Sequence, residues 1–80
     1  MVNIPSSNDE AKGKYVHYKG NKYEFVSFAR DSDTLAKLVV YKPLYETPEF
    51  GEILWVRPES EFFETVLVDG KERPRFKKLD

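Results

Sequence analysis

Eighty residues carry a formal net charge of −1, 40% hydrophobic and 15% aromatic side chains, one histidine and no cysteine. That length makes one small domain with a modest core. Without cysteine there is neither a disulfide framework nor a thiolate metal site, and a single histidine leaves structural zinc short of its ligands. No metal or cofactor is expected. Met1 to Ser7 lacks the basic start and apolar run of a signal peptide. No apolar run reaches membrane-spanning length, so the expectation is a soluble, cytoplasmic protein.

Residues 1–13 are polar, with Pro5 and a Ser-Ser-Asn-Asp run and no hydrophobic period. They read as a disordered tail preceding a single domain over 14–80. Tyr15 to Lys19 and Lys22 to Ala29 are strand-like runs separated by Gly20-Asn21, a pair that accepts the positive φ angles of tight hairpins. Period-two alternation puts Tyr23, Phe25, Ser27 and Ala29 on one face and Val26 and Phe28 on the other.

Arg30 to Thr34 is a polar break rich in side chains that bond their own backbone. Lys37 to Tyr45 reads as a third strand, loosened at Pro43, which cannot donate to a ladder. Glu46 to Glu52 is a loop carrying Pro48 and Gly51. Ile53 to Pro58 follows, with the only tryptophan and an apolar run on both faces. It predicts a buried strand, covered on both sides or lying in a small curled barrel, around which the fold is organised.

After Pro58, acids lead into Phe62-Phe63, and the stretch 59–64 fits one short helical turn. Thr65 to Val68, a type I′ turn at Asp69-Gly70, and Lys71 to Phe76, interrupted by Pro74, complete the chain. The pattern is all-β: a small SH3-like barrel of about five or six short strands, with an OB-like barrel as the alternative.

A resemblance rests on particular residues. Tyr18-Lys19-Gly20-Asn21 with Tyr23-Glu24, Arg30-x-Ser32-x-Thr34, Leu38-Val39-Val40-Tyr41 and Leu44-Tyr45 come first. Leu54-Trp55-Val56-Arg57-Pro58, Phe62 with Glu64-Thr65-Val66, and Asp69-Gly70 with Pro74-Arg75-Phe76 come after them. Together they span roughly residues 15 to 79 and resemble a family of short, mostly bacterial domains known as domain of unknown function 1653. The resemblance implies no activity. This chain has Asp31 where the family usually has histidine, and its loop before the tryptophan strand is longer.

The residues suggest two binding surfaces and leave an enzymatic reading to weigh. An aromatic-lined groove would draw on Tyr41, Tyr45, Trp55 and Arg57, with Arg30, Ser32 and Thr34 as polar donors, and would take a peptide, a partner protein or a small ligand. The structural alternative is that Arg30 to Thr34 is a self-capped turn and that most aromatics are core. His17 reads as a half-buried packing residue.

Charge is unevenly spread: Lys12 to Lys22 holds four lysines and no acid, and Glu46 to Glu64 holds six glutamates against Arg57 alone. If the first and last strands are neighbours, Lys14, Lys19, Lys22, Arg73, Arg75, Lys77 and Lys78 merge into a patch able to contact RNA or DNA phosphates. A pI near 5.8 fits a mixed, solvated surface instead. No phosphate loop, triad or nucleophile elbow is present, so no enzyme is expected. Strand edges at Lys37 to Tyr45 or Lys71 to Phe76 leave a monomer or a weak homodimer open.

Overall fold

The structure, a computed structural model, describes residues 4–79. Its elements are α1 (Asn8–Ala11), β1 (Lys14–His17), β2 (Lys22–Arg30), β3 (Lys37–Pro43), β4 (Trp55–Pro58), α2 (Glu59–Phe62), β5 (Thr65–Val68), β6 (Lys71–Pro74) and β7 (Phe76–Leu79). Five strands form one antiparallel sheet in the order β4-β3-β2-β1-β7, and β5 and β6 form a separate two-stranded ribbon. The fold is mostly β, as expected, with one helical turn after β4. The sheets are not closed into a barrel.

Residues directly opposite in an antiparallel ladder project from the same face. Tyr15 lies opposite Tyr23, Phe25 opposite Tyr41, Phe28 opposite Val39, and Tyr41 opposite Trp55. Those side chains form the inner face. The helical turns cover it, bringing Ala11, Phe62 and Phe63 into a core shared with Tyr15, Phe25, Val39, Tyr41 and Phe76. Phe62 and Val39 are fully buried. Most ring pairs meet edge to face, as at Tyr15–Phe62 (5.3 Å) and Phe25–Phe28 (5.1 Å), an arrangement that adds to plain burial.

The alternation expected along β2 fails at one residue. A bulge between Phe25 and Ser27 leaves Val26 without a partner on β3. One extra residue inverts the parity of the strand beyond it, so Phe25 and Phe28 both face the core and Val26 is exposed.

The tryptophan strand is also placed differently from expectation. β4 is the edge of the sheet, and the core lies against the inner face of the sheet alone. Trp55 and Arg57 are half-buried, whereas Leu54 and Val56 are 53% and 60% exposed. β3, expected as an open edge, is interior and ends at Pro43 rather than Tyr45. The return strand is split at Arg75 into β6 and β7.

Part of the expected N-terminal tail is ordered. Ser7 caps α1, its hydroxyl accepting from the Glu10 N–H at 3.2 Å. Asn8 Oδ1 accepts from the Phe28 N–H at 3.0 Å, the Tyr15 hydroxyl donates to the Ala11 carbonyl at 2.6 Å, and Ala11 is fully buried. Residues 1–3 lie outside the described residues.

The first hairpin forms where expected, but its turn runs from Tyr18 to Asn21 rather than over two residues. It closes through His17 N–H to Asn21 C=O at 2.8 Å and Gly20 N–H to His17 C=O at 2.7 Å. The second tight turn matches expectation, with Asp69 and Gly70 at φ 52° and 77°, the pair of positive angles a type I′ turn requires.

Candidate functional site

Where β3 ends, the chain is pinned and then released. Pro43 is buried and closes the ladder opposite Tyr23. The next residue, Leu44, donates its N–H to the Lys22 carbonyl at 3.0 Å. The Tyr45 hydroxyl meets the Tyr23 hydroxyl at 3.1 Å. Burial, and then the bond to Tyr45, push the Tyr23 hydroxyl up to about 12. Beyond Tyr45 the loop turns back on itself: the Thr47 hydroxyl donates to the Gly51 carbonyl at 2.6 Å, and the Phe50 N–H donates to the Thr47 carbonyl at 3.0 Å. Gly51 takes φ 67°, which favours glycine. Phe50 then stands edge-on to Trp55, 6.0 Å between centroids.

Between this returning loop and the end of β3 lies an open cleft of about 740 Å³, within the usual size of ligand sites. Pro43, Tyr45, Pro48, Ile53 and Leu54 give it apolar walls, and Lys42 stands among Glu46 and Glu52 at its polar rim. Tyr45 is 41% exposed there.

The structure divides the groove residues expected from sequence. Tyr45 lines the cleft, and Trp55 lies behind it against Phe50. Tyr41 is buried, and its hydroxyl accepts from Arg57 Nε at 3.4 Å. Arg57 lies over the Phe76 ring and within 3.6 Å of Glu61. Tyr41 and Arg57 thus work inside the fold and do not face the cleft.

Arg30, Ser32 and Thr34 sit at the opposite end of the β2–β3 hairpin, six residues along β3 from Pro43 by register, or about 20 Å at strand rise. The polar groups of Arg30 and Thr34 serve the turn, together with Asp31. Asp31 Oδ1 accepts from the N–H groups of Asp33 and Thr34, at 2.8 and 3.0 Å. Arg30 Nη1 donates to the Leu35 carbonyl, and Thr34 Oγ1 accepts from the Ala36 N–H. The backbone donors, Thr34 first, hold the Asp31 carboxyl below its ordinary value.

The basic set also divides. β1 does neighbour β7, and register puts Lys14, Lys22 and Lys77 on the outer face of the sheet. Lys42, absent from the expected set, joins them, because it lies opposite Glu24, which lies opposite Lys14. Lys78 is on the inner side, donating to the Glu10 carbonyl at 2.9 Å. Arg75 is ion-paired with Glu64, Lys19 lies over the Tyr18 ring, and Arg73 is on the ribbon.

His17 is half-buried between Tyr18 and Phe76, and its Nδ1 accepts from the Lys19 N–H. Burial, then the charges of Arg57, Arg75 and Lys19, hold its pKa below 6.5. Among the described residues no group of three His, Cys, Asp or Glu side chains could hold a metal ion, and no helix is long and apolar enough to cross a membrane.

The loop residues Pro48, Ile53 and Leu54 and the charged rim of the cleft were not foreseen as a site. Their one signal in the sequence is the pair Pro43 and Pro48 bracketing a strand end.

No curated protein matches the chain. A crystal structure of a protein of the DUF1653 family from Bordetella bronchiseptica is similar, with TM-score 0.76, 34% identity and 85% of each chain covered. The profile described as "Protein of unknown function (DUF1653)" matches residues 13–78. With both sequence and fold in agreement over nearly the whole domain, the chain belongs to the DUF1653 family.

Proposed function

We propose that the domain is a non-catalytic binding module that holds a short apolar stretch of a peptide, a partner protein or a small ligand in the cleft beside Tyr45. The observation that carries this reading is the cleft itself. It is apolar-walled, is bordered by Lys42, Glu46 and Glu52, and presents a tyrosine whose hydroxyl is fixed by Tyr23. Fixing the ring in advance lowers the entropy lost on binding. An SH3-like relationship belongs to the same reading, supported by β1 lying beside β7 and by the single helical turn after β4.

The nucleic-acid alternative is less well supported, because Arg75 and Lys78 have internal partners. The test is an amide-shift titration of the isotope-labelled domain with a panel of apolar fragments and short proline-containing peptides. Shifts gathered at Lys42, Tyr45, Thr47 and Ile53, and abolished in a folded Tyr45→Ala variant, are expected. Binding that is unchanged in Tyr45→Ala would sink the proposal.

A further inference from the structure

Among the described residues the helical turns pack on the inner face of the five-stranded sheet, with the segment at Ser6 to Asn8 lying beside the Ala29 end of β2, and the chemistry of the outer face changes along the strands. Register gives successive rungs: Lys77, Val16 and Lys22; then Leu79, Lys14, Glu24 and Lys42; then Ser27, Val40 and Val56; then Ala29, Leu38 and Pro58. The first two rungs are cationic, with four lysines against one glutamate. The last two are aliphatic apart from Ser27, and the bulge adds Val26 beside them. Val26 and Val56 are 45% and 60% exposed. Strands stand about 4.8 Å apart, so Lys14 and Lys42 flank Glu24 from the two neighbouring strands and stand roughly 10 Å from each other.

Every strand aromatic points the other way: Tyr15, Tyr23, Phe25, Phe28, Tyr41, Trp55 and Phe76 all project to the inner face by the same register.

That combination decides what the face can hold. Single-stranded nucleic acid binds by stacking bases on rings as well as by pairing phosphates. Here no strand aromatic shares the lysines' face, most of the other half is aliphatic, and Glu24 would repel a phosphate between Lys14 and Lys42. A second copy is disfavoured too, since a two-fold contact sets the lysine rungs either against each other or against the other copy's aliphatic rungs, and neither pairing supplies carboxylates. A partner that is apolar over one part and acidic over the adjoining part satisfies both halves: its carboxylates meet the lysines and its apolar groups cover Val40 and Val56. We infer that the outer sheet face is a docking surface for an amphipathic helix of a partner protein whose apolar stripe is bordered by aspartate and glutamate.

This surface is distinct from the cleft beside Tyr45, although Lys42 borders both, so the variants are placed away from the cleft at Lys22 and Val56. The labelled domain is titrated with a synthetic amphipathic helical peptide of Leu and Glu, with its Leu and Lys counterpart, and with a uridine oligomer. The Leu/Glu peptide is expected to shift Val16, Ser27, Val40 and Val56, and Lys22→Glu and Val56→Asp should each weaken it about ten-fold. The Leu/Lys peptide should not bind.

Each contrary result overturns the inference. Equal binding of both peptides would make the face merely greasy. A uridine oligomer that moves the lysine rungs more than the acidic peptide does would make it a phosphate surface. Concentration-dependent shifts in the free protein at Val40 and Val56 would make it a self-contact. Shifts confined to Tyr45 and Ile53 would place the peptide in the cleft.

Discussion

The rings of Phe62 and Phe76 lie face to face, 4.1 Å between centroids and 7° between planes. That contact ties α2 to β7. A single helical turn has no stability of its own, and α2 lacks a side-chain cap at Pro58, so it persists because Phe62 is fully buried. The same Phe76 ring receives Arg57 on its surface and His17 at its edge, which links the last strand to β1 and β4.

Truncation at this hub should therefore be severe. Phe62→Ala is expected to cost about 3–5 kcal/mol, lowering the melting temperature on the order of 20 °C for a domain of this size. Circular-dichroism melts read this directly. A drop of only a few degrees would show that α2 is held by something other than the ring.

Stability should also depend on pH through His17. Its folded pKa lies below 6.5, chiefly because burial disfavours the imidazolium. Between the folded value and 6.5 the unfolded chain binds more protons than the folded one. Stability therefore rises as pH climbs through this window and is lost as it falls. Denaturant titrations at pH 5, 6 and 7 should show a slope that is reduced in His17→Gln. Parallel slopes in the two proteins would contradict the assignment. The charges of Arg57, Arg75 and Lys19 make the effect larger at low ionic strength.

Arg75 holds the base of the β5–β6 ribbon. Its N–H donates to the Glu64 carbonyl, its carbonyl accepts from the Tyr18 N–H, both at 2.9 Å, and its guanidinium pairs with the Glu64 carboxylate. The pair is part-exposed, so a double-mutant cycle of Arg75→Ala and Glu64→Gln should give about 1 kcal/mol of coupling or less, falling with salt. A coupling that ignores salt would require a drier environment than the observed one.

The ribbon's tip offers a backbone test. Gly70 has φ 77° with open space where a Cβ would stand, so Gly70→Ala meets only conformational strain. A cost of about 1 kcal/mol is expected, with amide exchange accelerated within β5 and β6 and unchanged in the five-stranded sheet. Destabilisation of both sheets alike would show that the ribbon folds as one unit with the body.

Local chemistry alone determined the strands from β1 to β6, the Asp69-Gly70 turn, the helical turn after Pro58 and the self-capped character of Arg30 to Thr34, whereas β7 reads from sequence only as the end of the return strand. Each depends on residues a few positions apart, whose propensities and hydrogen bonds act over that range. Three features depend on long-range pairing, which no short window encodes.

The bulge at Val26 turned Phe28 to the core, because register against Val39 and Tyr41 outweighs simple alternation. Packing of the core on one face of the sheet alone left Leu54 and Val56 exposed, though composition marks them as core. Pairing across β1, β2, β3 and β7 gathered Lys14, Lys22, Lys42 and Lys77 onto one face while sending every strand aromatic to the other. The cleft beside Tyr45 arises the same way, from a loop whose path is set by contacts at both its ends.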